Sequence, residues 1–339
     1  MRSVHLKDVA KAAGVSQATV TRVVNGSGYV SEEKRRAVQN AILALGYVRD
    51  ISKPPKLWND MKLIGLLSLG VEDNLLFARL ADSLHHAAQA HGYLIVTVNV
   101  SGDPDAAHIA GRVNEMRNLN VCGIIFNALG DTVDFMSIRR FLINQPIPLV
   151  MIERVPDIYG LNKVLVNSKE GLFLAVRHLV RQGHRRILYM AADLRADVEN
   201  SRLEGFRAAT SAMGCEDEAA YLPCRANKDH IGRQAFSDYV AVRGMPTAVI
   251  ASEVLLVGVL QYLYERGIRI PNDISLIGLN DALARYTTPA LTSLAFPEKE
   301  IAENAMSIIH HAQSEVFLPK TIMLSPRLVE RDSVAAPVA

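Results

Sequence analysis

The stretch Leu6-Lys-Asp-Val-Ala-Lys-Ala-Ala-Gly-Val-Ser-Gln-Ala-Thr-Val-Thr-Arg-Val-Val-Asn25 decides how the N-terminal end of the chain folds. Leu6, Val9, Ala10 and Ala13 recur at the three- and four-residue spacing that gathers apolar side chains on one helical face. Gly14 stops that helix, because glycine enters a left-handed turn without steric cost. Ser16 caps a second helix, in which Val20, Val23 and Val24 face inward. A third amphipathic helix is expected after Ser31-Glu32-Glu33, with Ala37, Val38, Ala41, Ile42 and Leu45 apolar, ending at Gly46. The result is a small three-helix unit with its own core.

Packing leaves Gln17, Ala18, Thr21, Arg22 and Asn25 of the second helix unused, a short polar face able to enter a DNA major groove. Arginine pairs bidentately with guanine and glutamine with adenine, while Ser16, Thr19 and Asn25 suit phosphate contacts. Leu6, at the start of the first helix, is counted with this DNA-facing set. Charge points the same way. Residues 1–60 hold ten Lys/Arg and five Asp/Glu, whereas the other residues hold 27 basic and 30 acidic side chains. A cationic head therefore precedes a slightly acidic body, the distribution a phosphate backbone attracts. A plain solvated face is the alternative reading of the charge alone.

With Val30-Ser31 and Ala44-Leu-Gly-Tyr47, the stretch resembles the headpiece of the lactose repressor (LacI/GalR) family of bacterial transcription regulators. The resemblance places Gln17, Ala18 and Arg22 at the base-reading positions. Ala18 has no hydrogen-bonding group and reaches only a thymine methyl, so discrimination rests on its two neighbours. The family relation implies a homodimer reading a pseudo-palindromic double-stranded operator. Residues 1–47 are taken as the head and 48–61 as a linker. In the family the linker forms a hinge helix on DNA and wedges a leucine into the minor groove. Here Pro54 and Pro55 lack N–H donors and clash with the preceding turn, so no regular hinge helix is expected. Lys56 falls at the wedge position. Leu57 and Trp58 follow it, and either intercalates or packs on the body.

From Leu63 the chain alternates apolar runs with helical periods. Leu63–Leu69, Leu94–Val98, Val121–Phe126 and Pro148–Ile152 read as one set of strands. Val164–Val166, Ile187–Ala191, Ala248–Ala251 and Ile274–Gly278 read as a second, giving two doubly wound parallel sheets. Late strands at Leu291–Leu294 and Ile322–Leu324 return the chain between lobes. The expected lobes are 62–161 with 293–321, and 162–292 with 322–339. The family resemblance covers nearly the whole chain. It extends through Gly171, His178-Leu-Val-Arg-Gln-Gly-His184, Arg202-Leu-Glu-Gly-Phe206, Pro271-Asn-Asp-Ile-Ser-Leu-Ile-Gly278, Pro289-Ala-Leu-Thr-Ser293 and Leu328-Val-Glu-Arg331. It implies the periplasmic-binding-protein-like α/β fold, two lobes closing on a small ligand.

Open α/β sheets bind ligands beyond the carboxyl ends of their strands. The loops there carry Asn74 and Phe77, Glu153 and Arg154, Asn200 and Arg202, Ser252 and Glu253, and Asn280 and Asp281. Planar donors and acceptors with aromatic faces suit a polyol or sugar ring. By the resemblance, Arg202 stands where an arginine holds ligand hydroxyls, Glu153-Arg154 where Asp-Arg is common, and Asn280 where an aspartate is usual. Ser252-Glu253 replaces the usual Asn-Asp. Asn227 and Phe296 lie at ligand-stacking or polar positions. Two cleft arginines also admit a sugar acid or sugar phosphate. Glu153, Glu253 and Asp281 have a structural alternative, a fixed hydrogen bond or inter-lobe salt bridge.

Other functions find no support in the residues. There is no Walker sequence, no Gly-x-Gly-x-x-Gly after the first strand and no Gly-x-Ser-x-Gly elbow, so neither an enzyme nor a cofactor is expected. Cys122, Cys215 and Cys224 form no Cys-x-x-Cys pair. His85-His86 and His310-His311 are adjacent pairs pointing about 100° apart on a helix, so no metal is expected. No apolar run reaches the roughly 18 residues of a membrane span. The N-terminus has no apolar signal region, which predicts a cytoplasmic protein. A secreted sugar-binding protein would lack a use for the base-reading helix. The expectation is a DNA-binding repressor whose cleft senses a small polar metabolite, with a body that senses a protein partner as the alternative.

Overall fold

A computed structural model describes residues 5–25, 28–45, 47, 62–69, 75–100, 105–127, 135–153, 159–191, 197–312 and 318–338. The chain forms two compact units, Met1–Met61 and Lys62–Ala339. The linker expected over 48–61, with its prolines and Leu57, lies outside the described residues.

The first unit contains α1 (Leu6–Ala12), α2 (Gln17–Asn25) and α3 (Glu32–Leu45). The Asp8 carboxylate accepts the His5 backbone N–H at 2.8 Å, which occupies one donor that α1 cannot satisfy itself. Gly14 takes φ +65° in the turn. Ser16 Oγ accepts the Thr19 N–H at 3.2 Å and caps α2 as expected. Val9, Val20 and Val38 are wholly buried where the helices meet, each contributing roughly 1.5–3 kcal/mol. Leu6, Val15, Val23, Val24, Ile42 and Tyr47 pack around them. Leu45, expected inside, is exposed at the end of α3.

The second unit is built by repeated βα alternation. Its first sheet begins with β1 (Lys62–Leu69), α4 (Leu75–Ala90), β2 (Tyr93–Val100), α5 (Ala106–Asn118), β3 (Gly123–Asn127), α6 (Phe135–Ile143), β4 (Leu149–Ile152) and β5 (Asn162–Val166). There follow α7 (Ser168–Arg181), β6 (Ile187–Ala191), α8 (Asp197–Ala212), β7 (Ala220–Pro223), α9 (Asp229–Arg243), β8 (Ala248–Ser252), α10 (Glu253–Glu265) and β9 (Ser275–Asn280). The chain ends with β10 (Thr292–Ala295), α11 (Glu298–Ala312), β11 (Thr321–Leu324) and β12 (Arg327–Val329). The sheets run β2-β1-β3-β4-β5-β11 and β7-β6-β8-β9-β10-β12, the same winding twice. All pairings are parallel except β10 with β12. Helices cover both faces, so β3 and β6 are buried throughout and read as unbroken apolar runs.

The pairing moves the lobe boundaries from those expected. Residues 162–166 belong to the first sheet, because β5 pairs with β4 through Val150 and Asn162. The strand at 321–324 joins the same sheet by pairing with β5, and 292–295 stays in the second sheet beside β9. The chain therefore crosses between lobes after Val166, after Ala295 and after Leu324. Helix packing is tight in the second lobe: a Cβ on Gly258 would sit 1.9 Å from the Asp229 carbonyl oxygen, so α9 and α10 touch backbone to backbone.

Candidate functional site

Within the head, Ser16, Gln17, Ala18 and Arg22 are exposed. They line a helix that carries no carboxylate, so its N-terminal dipole and the Arg22 charge both favour an anion. The two threonines are less available. Thr19 Oγ1 lies 2.9 Å from Ser16 Oγ, and the Thr21 hydroxyl donates to the Gln17 carbonyl at 2.9 Å. Leu6 is half-buried on the apolar face of α1 and packs against the head core. Asn25 closes α2, and its side chain lies outside the described residues. Tyr29, which sequence reasoning missed, is 90% exposed between α2 and α3.

The body has a narrow cleft at the inter-lobe crossings. Val166 and Ser168 supply the first crossing, Ala295 and Phe296 the second, and Pro326 the third. Glu153, Arg202, Leu279 and Asn280 complete it, because β4 and β9 end there and α8 starts beside them. Four expected residues, Glu153, Arg202, Asn280 and Phe296, thus meet in one place. Arg202 is held from behind. Its Nη1 lies 2.6 Å from Glu199 Oε1, and its Nη2 donates to Asn280 Oδ1 at 3.0 Å. The other Glu199 oxygen accepts the Tyr189 hydroxyl at 2.8 Å.

Burial works against the Arg202 charge, but Glu199, Tyr189 and Glu153 outweigh it and raise its pKa. Burial, with Glu199 beside it, holds the Tyr189 phenol well above its ordinary range. Glu199 and Tyr189 were not singled out in the sequence, although Glu199 lies three residues before Arg202, a spacing that pairs side chains on a helix. Asn280 has φ +85° and Glu153 φ +68°, left-handed conformations that asparagine adopts more readily than most residues. The cleft can hydrogen-bond hydroxyls through Ser168, Asn280, Glu153 and the remaining Arg202 N–H groups, over an apolar wall of Leu172, Leu294 and Phe296.

Other expected residues stand elsewhere. Glu253 is buried behind β9, where it accepts the Ser293 hydroxyl at 2.9 Å and the Leu283 backbone N–H. Burial raises its pKa. Its role is to hold the loop after β9, since it opens α10 facing inward. Asn227 is exposed outside the cleft lining and accepts the Ser252 hydroxyl. Phe77 packs against the first-lobe core from α4. Asn74 and Arg154 lie outside the described residues. Asp281 takes the structural alternative, a salt bridge at 2.6 Å to Arg331.

Residues 5–50 match the family described as bacterial regulatory proteins, lacI family, and residues 176–334 match the periplasmic binding protein-like domain. The HTH-type transcriptional regulator DegA of Bacillus subtilis is 29% identical over 97% of each chain. The ribose operon repressor of Haemophilus influenzae is 29% identical over 97% of this chain and 98% of its own. The crystal structure of the lac repressor dimer bound to operator and the anti-inducer ONPF superposes with a TM-score of 0.72 at 23% identity, over 99% of this chain and all of the other. The fold and cleft define a two-lobed, periplasmic-binding-protein-like body joined to a helix-turn-helix head. The chain belongs to the lacI family of bacterial DNA-binding transcriptional regulators.

Proposed function

We propose that the protein is a cytoplasmic, homodimeric repressor of a pseudo-palindromic operator, released or engaged by an uncharged polyol or sugar in the inter-lobe cleft. The observation that carries the ligand class is the Glu199–Arg202 pair. A buried carboxylate 2.6 Å away already balances the guanidinium, so the cleft offers directed hydrogen bonds without an unbalanced positive charge. A sugar acid or phosphate would compete with Glu199, which disfavours the anionic effectors. The ribose operon repressor among the relatives supports a carbohydrate. On DNA, Arg22 and Gln17 read bases, and Ser16 positions the helix on phosphate. Dimerisation is supported by the body's surface, where exposed Tyr264 borders an apolar groove of Leu260, Ile268, Ile270 and Pro289 that a two-fold partner would cover.

The test is thermal unfolding of the full chain with neutral sugars, sugar acids, sugar phosphates and nucleosides. A ligand at 100 times its Kd stabilises by about 2.7 kcal/mol. The hit is then added to the protein on DNA enriched from a random library, which gives the sign of regulation. Stabilisation by acids or phosphates alone overturns the uncharged class, and a silent panel favours a protein partner.

A further inference from the structure

The loop that follows β9 joins the cleft to the opposite lobe. Asn280 places its side-chain oxygen on Arg202, while the next residue, Asp281, also has a left-handed backbone, φ +58°. Two consecutive non-glycine residues in that region persist only when their surroundings hold them. The Asp281 carboxylate is gripped by Arg331, with oxygens at 2.6 and 2.9 Å, and Arg331 also donates to the Leu291 carbonyl at 2.7 Å. The Asp281 backbone N–H donates to Ser293 Oγ, which in turn is tied to Glu253. All of these partners are in the second lobe. The Asp281 carbonyl turns the other way and accepts Arg79 Nη1 from α4 of the first lobe. Arg79 is itself oriented by Glu298, 2.8 Å from its Nη2. Ala282, one residue further, is buried as part of the first-lobe core, the cluster that also holds Leu80 of α4 and Ala305 of α11.

We infer that Arg79 is an inter-lobe latch, and that the Asn280–Ala282 segment is the lever that sets it: one end in the cleft against Arg202, the other docked on α4. Three consecutive residues thus face the cleft, the second-lobe anchor and the first-lobe core in turn. Rotating Asn280 to meet a ligand turns the Asp281 peptide, and with it the carbonyl that Arg79 holds. Arg79 is a positioning residue and lines no part of the cleft. That the lever reports on an effector rests on the function proposed above, whereas the latch itself does not.

Amide hydrogen exchange of the full chain, without DNA or added ligand, tests both parts, so its outcome is independent of the effector and DNA assignments. Arg79→Ala is expected to speed exchange in residues 281–284 by roughly ten-fold or more, the scale of a lost charge-assisted hydrogen bond, while α7 and α9 stay protected. Arg79→Lys, which keeps the charge, falls between. Asn280→Ala, which touches neither Arg79 nor α4, should produce the same local acceleration. Unchanged exchange at 281–284 in Arg79→Ala overturns the latch, as does an equal rise across both lobes, which marks general destabilisation. A local response to Arg79→Ala with none to Asn280→Ala overturns the lever.

Discussion

Replacing Glu199 by Ala should be among the most damaging single changes near the cleft. Glu199 is 4% exposed and serves two buried partners. Its loss leaves the Tyr189 hydroxyl, on a wholly buried ring, without an acceptor at 2.8 Å, which costs about 1–3 kcal/mol. It also strips the counter-charge from Arg202, whose side chain is 12% exposed. Breaking a fully buried pair costs about 3–5 kcal/mol, and the open cleft and the remaining Asn280 bond reduce that share. Together the two losses amount to about 3–5 kcal/mol. At roughly 2–4 °C per kcal/mol for a domain of this size, Tm should fall by about 10 °C.

Calorimetry and urea unfolding would measure it, with two controls. Tyr189→Phe removes only the hydroxyl and should cost about 1 kcal/mol. The double change Glu199→Leu/Arg202→Leu removes the orphaned charge together with its partner, and should recover much of the loss. A Glu199→Ala protein within about 1 kcal/mol of the parent would refute the reasoning, since unpaired buried charge is its largest contribution. A double variant no more stable than the single one would do the same.

Arg22→Ala should lose about 1–3 kcal/mol of discrimination between selected and scrambled DNA while keeping nonspecific affinity; anisotropy titrations on both sequences would show it. Gly258→Ala drives a methyl to 1.9 Å from the Asp229 carbonyl oxygen and should cost about 1–3 kcal/mol or more by prying α9 from α10, read as a lower urea midpoint at unchanged slope. Burial lowers the pKa of His184, with its bond to the Ala335 carbonyl opposing, and burial likewise lowers that of His178 against Glu330. The unfolded chain then binds more protons than the folded one, so stability should fall as pH drops through the ordinary imidazole value of 6.5 and below. Tm measured from neutral to mildly acidic pH should decline less in His184→Gln; equal slopes would discharge His184 from this role.

The head was legible because its signals are local: a glycine stop, a serine cap and valines at helical spacing all lie within twenty residues. The inner strands were legible for the same reason, since burial on both faces produces unbroken apolar runs. β7, Ala220-Tyr-Leu-Pro223, escaped notice because an edge strand is half-buried and carries a proline. The lobe assignment of β5 and β11 was misjudged because nothing local encodes it. β5 enters the first sheet by pairing with β4, and β11 enters it by pairing with β5, where the Lys163 N–H donates to the carbonyl of Lys320, far along the chain. Glu253 was read as a ligand group because it follows a strand end. A carboxylate that fixes a loop occupies the same sequence position as one that binds a ligand, and only its inward turn separates them.

The two binding ends of the chain use charge in opposite ways, and salt separates them. The head holds excess positive charge on an exposed surface, so its hold on DNA includes counterion release. In the cleft the Arg202 guanidinium is paired with Glu199, so on the proposed reading its selectivity rests on short-range hydrogen bonds that ions do not screen. Raising salt from about 50 to about 200 mM should weaken DNA binding steeply, by about 10³–10⁵ for a protein making roughly 6–10 phosphate contacts. The ligand found by thermal screening should bind nearly as well at both concentrations when followed by calorimetric titration. If its affinity falls with salt as well, an anion is being held by unbalanced positive charge, and the neutralising role assigned to Glu199 is wrong. If DNA binding is insensitive to salt, the basic head does not act on the phosphate backbone, and base contacts through Gln17 and Arg22 would have to carry the affinity alone.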